Sequence, residues 1–325
     1  MSRLMGRGAA LIVAATLILH GPMARALDKI NAGAVGGPTG TMWLYYVGFD
    51  KGFFKNAGIE LDLVYAHTAP GIMQQLTAGS LDIVATTGVA EPIHAVDKGA
   101  TNVAIARIIG QNSPYSMEAK SSVASIKDLK GKTIALGGLV DITAIYWNAM
   151  AAANGLKQGD VDIVVIGATA GRFAALKSGS VDATMVLPPY SFVAEAAGFK
   201  NIGLVIDYVK DVPFTGLEVS RPWAEAHMAE AKRLLKALDE SAAWFYVPEH
   251  RQELIDLGVK DFHIDQKESA LSLDFLRKIK YFAPTSKVPA KGIDQLIAVM
   301  RASHDVTGSV SAKKLAMPGL TELVE

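Results

Sequence analysis

Residues 76–87 read LTAGSLDIVATT, and residues 176–187 read LKSGSVDATMVL. At a gap-free offset of 100, Leu76, Gly79, Ser80 and Asp82 recur as Leu176, Gly179, Ser180 and Asp182. The match extends upstream. Leu61-Asp62-Leu63-Val64 faces Val161-Asp162-Ile163-Val164, and Thr68-Ala69-Pro70-Gly71 faces Ala168-Thr169-Ala170-Gly171. Each copy spells a strand, a small-residue loop, a short helix, a Gly-Ser-x-Asp turn and a second strand. That is one βαβ unit, and the right-handed crossover rule places such a unit in a parallel sheet.

Short β-rich runs alternate with helical runs on either side of both copies, the pattern of an α/β fold. Strands are expected at 30–35, 59–65, 81–85 and 103–109, with helices at 42–54, 70–78 and 92–98. A second series places strands at 133–136, 161–166, 181–186 and 202–206, with helices at 142–153, 170–177 and 189–197. From 222 onward the pattern is helical to the end, in four segments at 222–246, 249–257, 266–281 and 290–302. An offset of 100 residues is about one domain's worth of chain. The chain therefore divides into lobe 1, residues 27–113 plus 219–325, and lobe 2, residues 119–213. Two extended crossings, 114–118 and 214–218, would form a hinge.

The first 26 residues are a different kind of text. Arg3 and Arg7 precede an apolar run at 9–19, and Ala24-Arg25-Ala26 offers small residues at the two positions a signal peptidase inspects. This is the pattern of an export signal cleaved after Ala26, and the run is too short to span a bilayer. Removing its three arginines from 32 basic residues leaves 29 against 32 acidic ones, a net charge of −3. No bulk attraction to nucleic acid is expected. The chain has no cysteine, which excludes disulfides, thiolate nucleophiles, cysteine–metal sites and a lipid anchor on cysteine. The expected location is the periplasm, without a lipid anchor.

In open α/β sheets a ligand sits at the carboxyl ends of the strands, where helix N-termini present free N–H groups. The loops there supply the candidate contacts: Thr39, Gly40 and Thr41; Thr68 and Ala69; Thr86, Thr87 and Gly88; Ala168 and Thr169; and Pro188 and Tyr190. They combine small residues, which let a solute approach the backbone, with hydroxyls that donate without fixed charge. A threonine at such a place serves a cap or a solute equally well, and Asp141 could cap the helix at 142–153. Arg172 could clamp an acid in bidentate fashion or lie on the rim. Of Trp43, Tyr45 and Tyr46, one is expected at the cleft and the others in the core, with Trp43 taken as the candidate. Glu218, in the second crossing, could accept a solute amine or hold the closed state. Asp82 and Asp182 are read as braces of the turns they occupy. The KGKT at 130–133 lacks the glycine a phosphate loop needs, since position 126 is isoleucine, and neither a G-x-S-x-G nor an HExxH motif occurs.

Four stretches carry a family resemblance: Tyr46-Val47-Gly48-Phe49-Asp50-Lys51-Gly52-Phe53-Phe54, the run 76–82, Ser125-Ile126-Lys127-Asp128-Leu129-Lys130-Gly131-Lys132-Thr133-Ile134, and the run 176–183. In this order behind an export signal, the chain resembles the nitrate/sulfonate/taurine-type solute-binding proteins of ABC importers, a group that also includes binders of thiamine precursors. The resemblance implies a two-lobed periplasmic-binding-protein fold of type II, with two parallel-rich sheets joined by a two-segment hinge. It implies capture of a small, anionic sulfonate-, nitrate- or carboxylate-like solute and its delivery to a membrane permease with its ATPase. A thiamine pyrimidine or another aromatic solute, and a periplasmic sensor role, are the alternatives. With no nucleophile–base or metal spacing in the sequence, no enzyme role, cofactor or metal is expected, and the chain is expected to act as a monomer.

Overall fold

The computed structural model describes residues 26–325, so the export signal read from the sequence lies, but for its last residue, outside the described residues. Two five-stranded sheets organise the chain. The first runs β2 (Ile59–Ala66), β1 (Asp28–Val35), β3 (Ile83–Gly88), β10 (Thr215–Ser220), β4 (Val103–Gly110). The second runs β7 (Asp162–Val165), β6 (Thr133–Leu136), β8 (Ala183–Val186), β5 (Ser116–Ala119), β9 (Lys200–Leu204). In each, three strands pair in parallel and the fourth position is antiparallel to both its neighbours. The two orders are the same topology written twice, and the chain is a two-lobed α/β fold.

The repeat units occupy equivalent places. In the first, β2 leads through α3 (Ala69–Thr77) to β3; in the second, β7 leads through α6 (Thr169–Lys177) to β8. The two turn aspartates do the same work. Asp82 Oδ2 accepts from the Asn31 N–H at 2.8 Å, and Asp182 Oδ2 accepts from the Thr133 N–H at 3.0 Å. Each carboxylate ties the turn to the adjacent strand, as expected of a brace.

The antiparallel strands β5 and β10 exchange between lobes. Ser116 to Glu118 belong to the second sheet and Thr215 to Glu218 to the first, so the extended text read as crossings is largely sheet. β3 and β4 are buried along their whole length, because helices cover both faces of a parallel-rich sheet.

Helices α1 (Trp43–Asp50) and α2 (Phe53–Asn56) replace the single helix expected over 42–54. Gly52 breaks it at φ +72°, a left-handed conformation that glycine adopts without steric cost. Lobe 1 also carries α4 (Ala90–Asp97), and lobe 2 carries α5 (Ile142–Ala153) and the short α7 (Tyr190–Ala196). The C-terminal part adds α8 (Arg221–Ala226), α9 (Met228–Tyr246) and α13 (Ala312–Leu315), which pack on strands of the first sheet, and α10 (Arg251–Phe262), α11 (Gln266–Lys278) and α12 (Ala290–Ala302), of which α10 packs on α1 and α11, α11 also on α7, and α12 on α4 and α13. The helix expected over 222–246 divides at His227, whose φ of −125° is not helical. Two short strands, β11 (Lys287–Pro289) and β12 (Glu322–Val324), pair in parallel where the sequence pattern read as helical throughout. Among the described residues no helix is long and apolar enough to cross a membrane.

Candidate functional site

The carboxyl ends of β1 and β3 face those of β6, β7 and β8 across the gap between the sheets. The loops leaving these strands enclose a cavity of about 90 Å³. Gly36 to Thr39, Thr41, Ala69 and Thr86 to Gly88 form its lobe 1 wall, while Gly137, Asp141, Ile142, Gly167 to Ala170, Arg172, Leu187 and Tyr190 form its lobe 2 wall. Tyr115, Phe214 and Thr215, where the chain passes between sheets, close the floor.

The lobes touch around this space. The Gly40 N–H donates to the Pro188 carbonyl at 2.9 Å. A Cβ on Gly40 would meet Leu276 Cδ1 at 3.0 Å and the Pro188 oxygen at 3.1 Å, so any larger residue would push the lobes apart by a few tenths of an ångström or more. Phe192 on α7 packs edge-on against Phe275 on α11, with centroids 6.0 Å apart. Gly167 lies so close to the His67 carbonyl that a Cβ would stand 2.9 Å from it. The structure is a closed form.

Arg172 is the cationic residue of the cavity wall and is 2% exposed. Its Nε donates to the Met185 carbonyl at 3.0 Å, Nη1 to the Gly167 carbonyl, and Nη2 to Thr169 Oγ1 at 3.1 Å and Tyr115 Oη at 3.3 Å. All four partners are neutral, and Arg172 makes no ion pair among the described residues. These bonds hold the guanidinium rigidly; the Asp141 carboxylate stands nearby but forms no ion pair with it, so the buried charge is offset only in part. Beside it, α6 starts at Thr169 with no side chain capping its first N–H groups, and its first two residues line the cavity. An uncapped helix N-terminus and a buried guanidinium together favour an anion.

Asp141 caps α5. One oxygen, Oδ1, accepts from the Thr143 N–H at 3.0 Å, the Thr143 hydroxyl at 2.6 Å and the Ala144 N–H at 3.2 Å. Burial pushes the Asp141 carboxyl above the ordinary aspartate range, opposed first by the Thr143 hydroxyl and then by Arg172. On the facing wall the hydroxyls of Thr86 and Thr87 are buried with no hydrogen-bond partner. A buried hydroxyl left unpaired costs of the order of 1–3 kcal/mol, which a solute or water in the cavity would recover. Thr39 and Thr41 share a hydroxyl–hydroxyl bond of 2.8 Å.

Eleven of the sixteen candidates therefore line one cavity: Thr39, Thr41, Ala69, Thr86, Thr87, Gly88, Asp141, Ala168, Thr169, Arg172 and Tyr190. Five do not. Gly40 and Pro188 bond each other at the rim. Thr68 caps α3 through the Gly71 N–H at 3.2 Å. Trp43 is fully buried, edge-on to Phe262 at 4.9 Å and Phe245 at 6.1 Å, so its indole belongs to the core. Tyr45 is likewise core, and Tyr46 bonds Tyr65 at 3.1 Å; none of the three aromatics lines the cavity. Glu218 is fully buried in β10 with neither carboxyl oxygen partnered, and it too is absent from the wall.

The aromatic floor escaped the sequence reading. Tyr115 and Phe214 meet edge-on at 5.3 Å, and Thr215 is fixed by the Gly110 N–H at 3.0 Å and by Tyr281 at 2.9 Å. The usable signal was the same offset of 100. Carried into the crossings, it aligns residues 115–119 with 215–219, including Glu118 with Glu218. Among the described residues no group of three metal-ligating side chains comes together.

Similarity to known proteins agrees with this geometry. The alkanesulfonate-binding protein SsuA of Xanthomonas axonopodis pv. citri, solved bound to MOPS, aligns over 93% of this chain and 100% of its own at 15% identity, with a TM-score of 0.73. The periplasmic aliphatic sulphonate-binding protein SsuA of Escherichia coli aligns over 90% of this chain and 98% of its own at 19% identity and a TM-score of 0.70. The periplasmic nitrate-binding protein NrtA of Synechocystis PCC 6803 covers 91% of this chain and 86% of its own at 15% identity and a TM-score of 0.71. At these identities the likeness is one of fold. No curated protein matches the chain. The model of the NMT1/THI5-like family matches residues 41–250, more than half of the chain. The chain belongs to the NMT1/THI5-like family.

Proposed function

We propose that this protein is the solute-binding component of an ABC importer, capturing a small organic acid between its lobes and delivering it to a membrane permease and its ATPase. The observation that carries the reading is Arg172: a buried guanidinium, held only by neutral groups, in the wall of a closed cavity beside an uncapped helix N-terminus. Sulfonates, nitrate and carboxylates are the solute class it fits. The sulfonate- and nitrate-binding proteins of the same fold support that class, and their periplasmic setting supports export of this chain, with cleavage after Ala26. The protein acts as a monomeric binder and not as an enzyme, and the two crossings between sheets serve as its hinge. One feature favours a second reading, in which the acid sits on an aromatic body. Tyr115, Phe214 and Tyr190 present apolar surface on which a flat ring could rest.

A thermal-shift screen of refolded chain, free of carried solute, tests the proposal. The panel is alkanesulfonates, nitrate, short carboxylates, aromatic carboxylates and, as uncharged controls, thiamine pyrimidines and sugars. An acid at about 100 times its dissociation constant adds about 2.7 kcal/mol to stability, a shift of several degrees. Stabilisation confined to acids, with the solute recovered unchanged, is the expected result. Stabilisation by uncharged solutes alone would refute the anionic reading.

A further inference from the structure

A guanidinium has five N–H groups, and the bonds of Arg172 leave one of them free. Nε is matched to the Met185 carbonyl at 3.0 Å and one N–H of Nη1 to the Gly167 carbonyl. The two of Nη2 are matched to Thr169 Oγ1 at 3.1 Å and Tyr115 Oη at 3.3 Å. A single free N–H cannot grip an acid with a two-pronged fork. The two hydroxyls supply what the guanidinium lacks. Each oxygen accepts from Arg172, and neither hydroxyl donates to any group among the described residues. Both side chains line the cavity and are buried, Tyr115 at 6% exposed and Thr169 at 7%. A hydroxyl that accepts from a cation turns its lone pairs toward it and its proton away. It also donates more strongly, because linked hydrogen bonds polarise one another. Tyr115 is fixed before any solute arrives. Its ring stands edge-on to Phe214 at 5.3 Å and to Tyr146 at 6.4 Å, and its carbonyl accepts from the Val205 N–H at 3.0 Å.

We infer that Tyr115 and Thr169 are solute-binding residues, whose hydroxyl protons relay the positive charge of Arg172 to the acid group of the cargo. The inference rests on the anionic reading of the site and deepens it. Arg172 then acts in two ways. Its one free N–H meets the acid directly, and its Nη2 aims and polarises two hydroxyls that meet the acid beside it. The uncapped N-terminus of α6, which begins at Thr169, adds backbone N–H groups on the same wall. A tyrosine in an extended crossing carries no sequence signal for this role, because its function depends on which side of the strand its ring takes.

Calorimetric titration of the refolded chain with ethanesulfonate, nitrate and propanoate tests this, on whichever of the three binds the parent. Tyr115→Phe keeps the ring and removes only the hydroxyl, and Thr169→Val keeps the shape of threonine. Each is expected to weaken binding about tenfold, the scale of one hydrogen bond to a charged group. Thr169→Ser restores the hydroxyl and is expected to bind within threefold of the parent, a rescue that a packing role for the threonine methyl would not give. At saturation Tyr115→Phe is expected to reach the same radius of gyration as the parent. A tenfold loss accompanied by failure to close would assign Tyr115 to the hinge and overturn its role as a donor. Thr169→Ser as weak as Thr169→Val would overturn the role of Thr169. Binding within twofold of the parent by folded Tyr115→Phe and Thr169→Val, with Arg172→Gln greatly weakened, overturns the relay and leaves the anionic site intact. Binding of none of these acids, in a chain that binds an uncharged solute, overturns the anionic reading and this inference with it.

Discussion

Replacing Arg172 with glutamine is expected to weaken capture of an acidic solute about a hundredfold, or about 2.7 kcal/mol, the scale set by removing one partner of a buried, hydrogen-bonded charge pair. Glutamine retains donors for the carbonyls of Gly167 and Met185 but removes the positive charge, which forms no ion pair in the structure. Stability should fall as well, because several bonds to buried acceptors are shortened to one or two, so affinity is to be measured by calorimetry at a temperature where circular dichroism shows the variant folded. Arg172→Lys serves as the intermediate case. It keeps the charge and loses the planar fork, and should recover part of the affinity. An affinity within threefold of the parent for Arg172→Gln would show that the acid group is bound elsewhere. The size of the effect follows from rigidity: four neutral bonds hold the guanidinium in place before any solute arrives, so little ordering remains to be done on binding.

The second large effect lies outside the cavity and concerns pH. Glu118 on β5 and Glu218 on β10 are repeat-equivalent residues on the antiparallel strand of each sheet, paired in register with Thr184 and Val84. Both are fully buried, and none of their four carboxyl oxygens has a hydrogen-bond partner. Burial pushes Glu118 from 4.5 to about 7, with Ser116 pulling the other way and Glu195 adding to the rise. Glu218 is raised well above the ordinary glutamate value by burial, with its own backbone N–H pulling the other way and the charge of Glu91 adding to the rise. The folded chain thus binds these protons more tightly than the unfolded chain does. The associated stability is fully present below about pH 4.5 and is lost as pH rises through the folded value. For Glu118 the displacement amounts to roughly 3 kcal/mol. Glu118→Gln, an uncharged isostere, should match the parent near pH 4.5 and exceed it by up to that amount at pH 8, as read from urea midpoints at the two values. Glu218→Gln should move in the same direction. Glu91, pushed to about 8 chiefly by burial and then by Asp141, would leave a residual fall in stability between about pH 4.5 and 8 in either variant. An unchanged pH slope in both variants would mean that these carboxyls find partners in solution.

Much of the architecture was legible because the 100-residue offset is a physical unit. The Gly-Ser-x-Asp turns of 79–82 and 179–182 marked two equivalent βαβ units, and their spacing of about one domain, with the bracketing crossings, favoured two sheets over one continuous one. The strand-end loops followed from the topology, which is why Thr86, Thr87, Thr169 and Arg172 were found together. What stayed hidden depended on side-chain direction. α1 is apolar almost all round, with seven of its eight residues Trp43, Leu44, Tyr45, Tyr46, Val47, Gly48 and Phe49, and such a helix has no polar face to show which side meets the core. Trp43 was consequently placed at the cleft although it packs between Phe245 and Phe262. Glu218 reads as a solute contact because it lies in the second crossing, but it is a buried carboxylate of β10 without a hydrogen-bond partner, a rare arrangement. Tyr115, Phe214 and Thr215 sit in segments read as linkers, where the backbone is extended and alternate residues face opposite ways. Only the antiparallel registers of β5 and β10 settle which of them face the cavity.

The central claim is that the lobes close on a solute held in the cavity at Arg172. Small-angle X-ray scattering of the refolded chain, without solute and then saturated with an acid from the screen, tests it most directly. The account predicts that the radius of gyration falls on saturation to the value calculated from the closed structure, and that Gly40→Val, whose added side chain would strike the Pro188 carbonyl and Leu276, stays at the larger value. An unchanged radius with solute demonstrably bound, or equal closure by Gly40→Val, would contradict it.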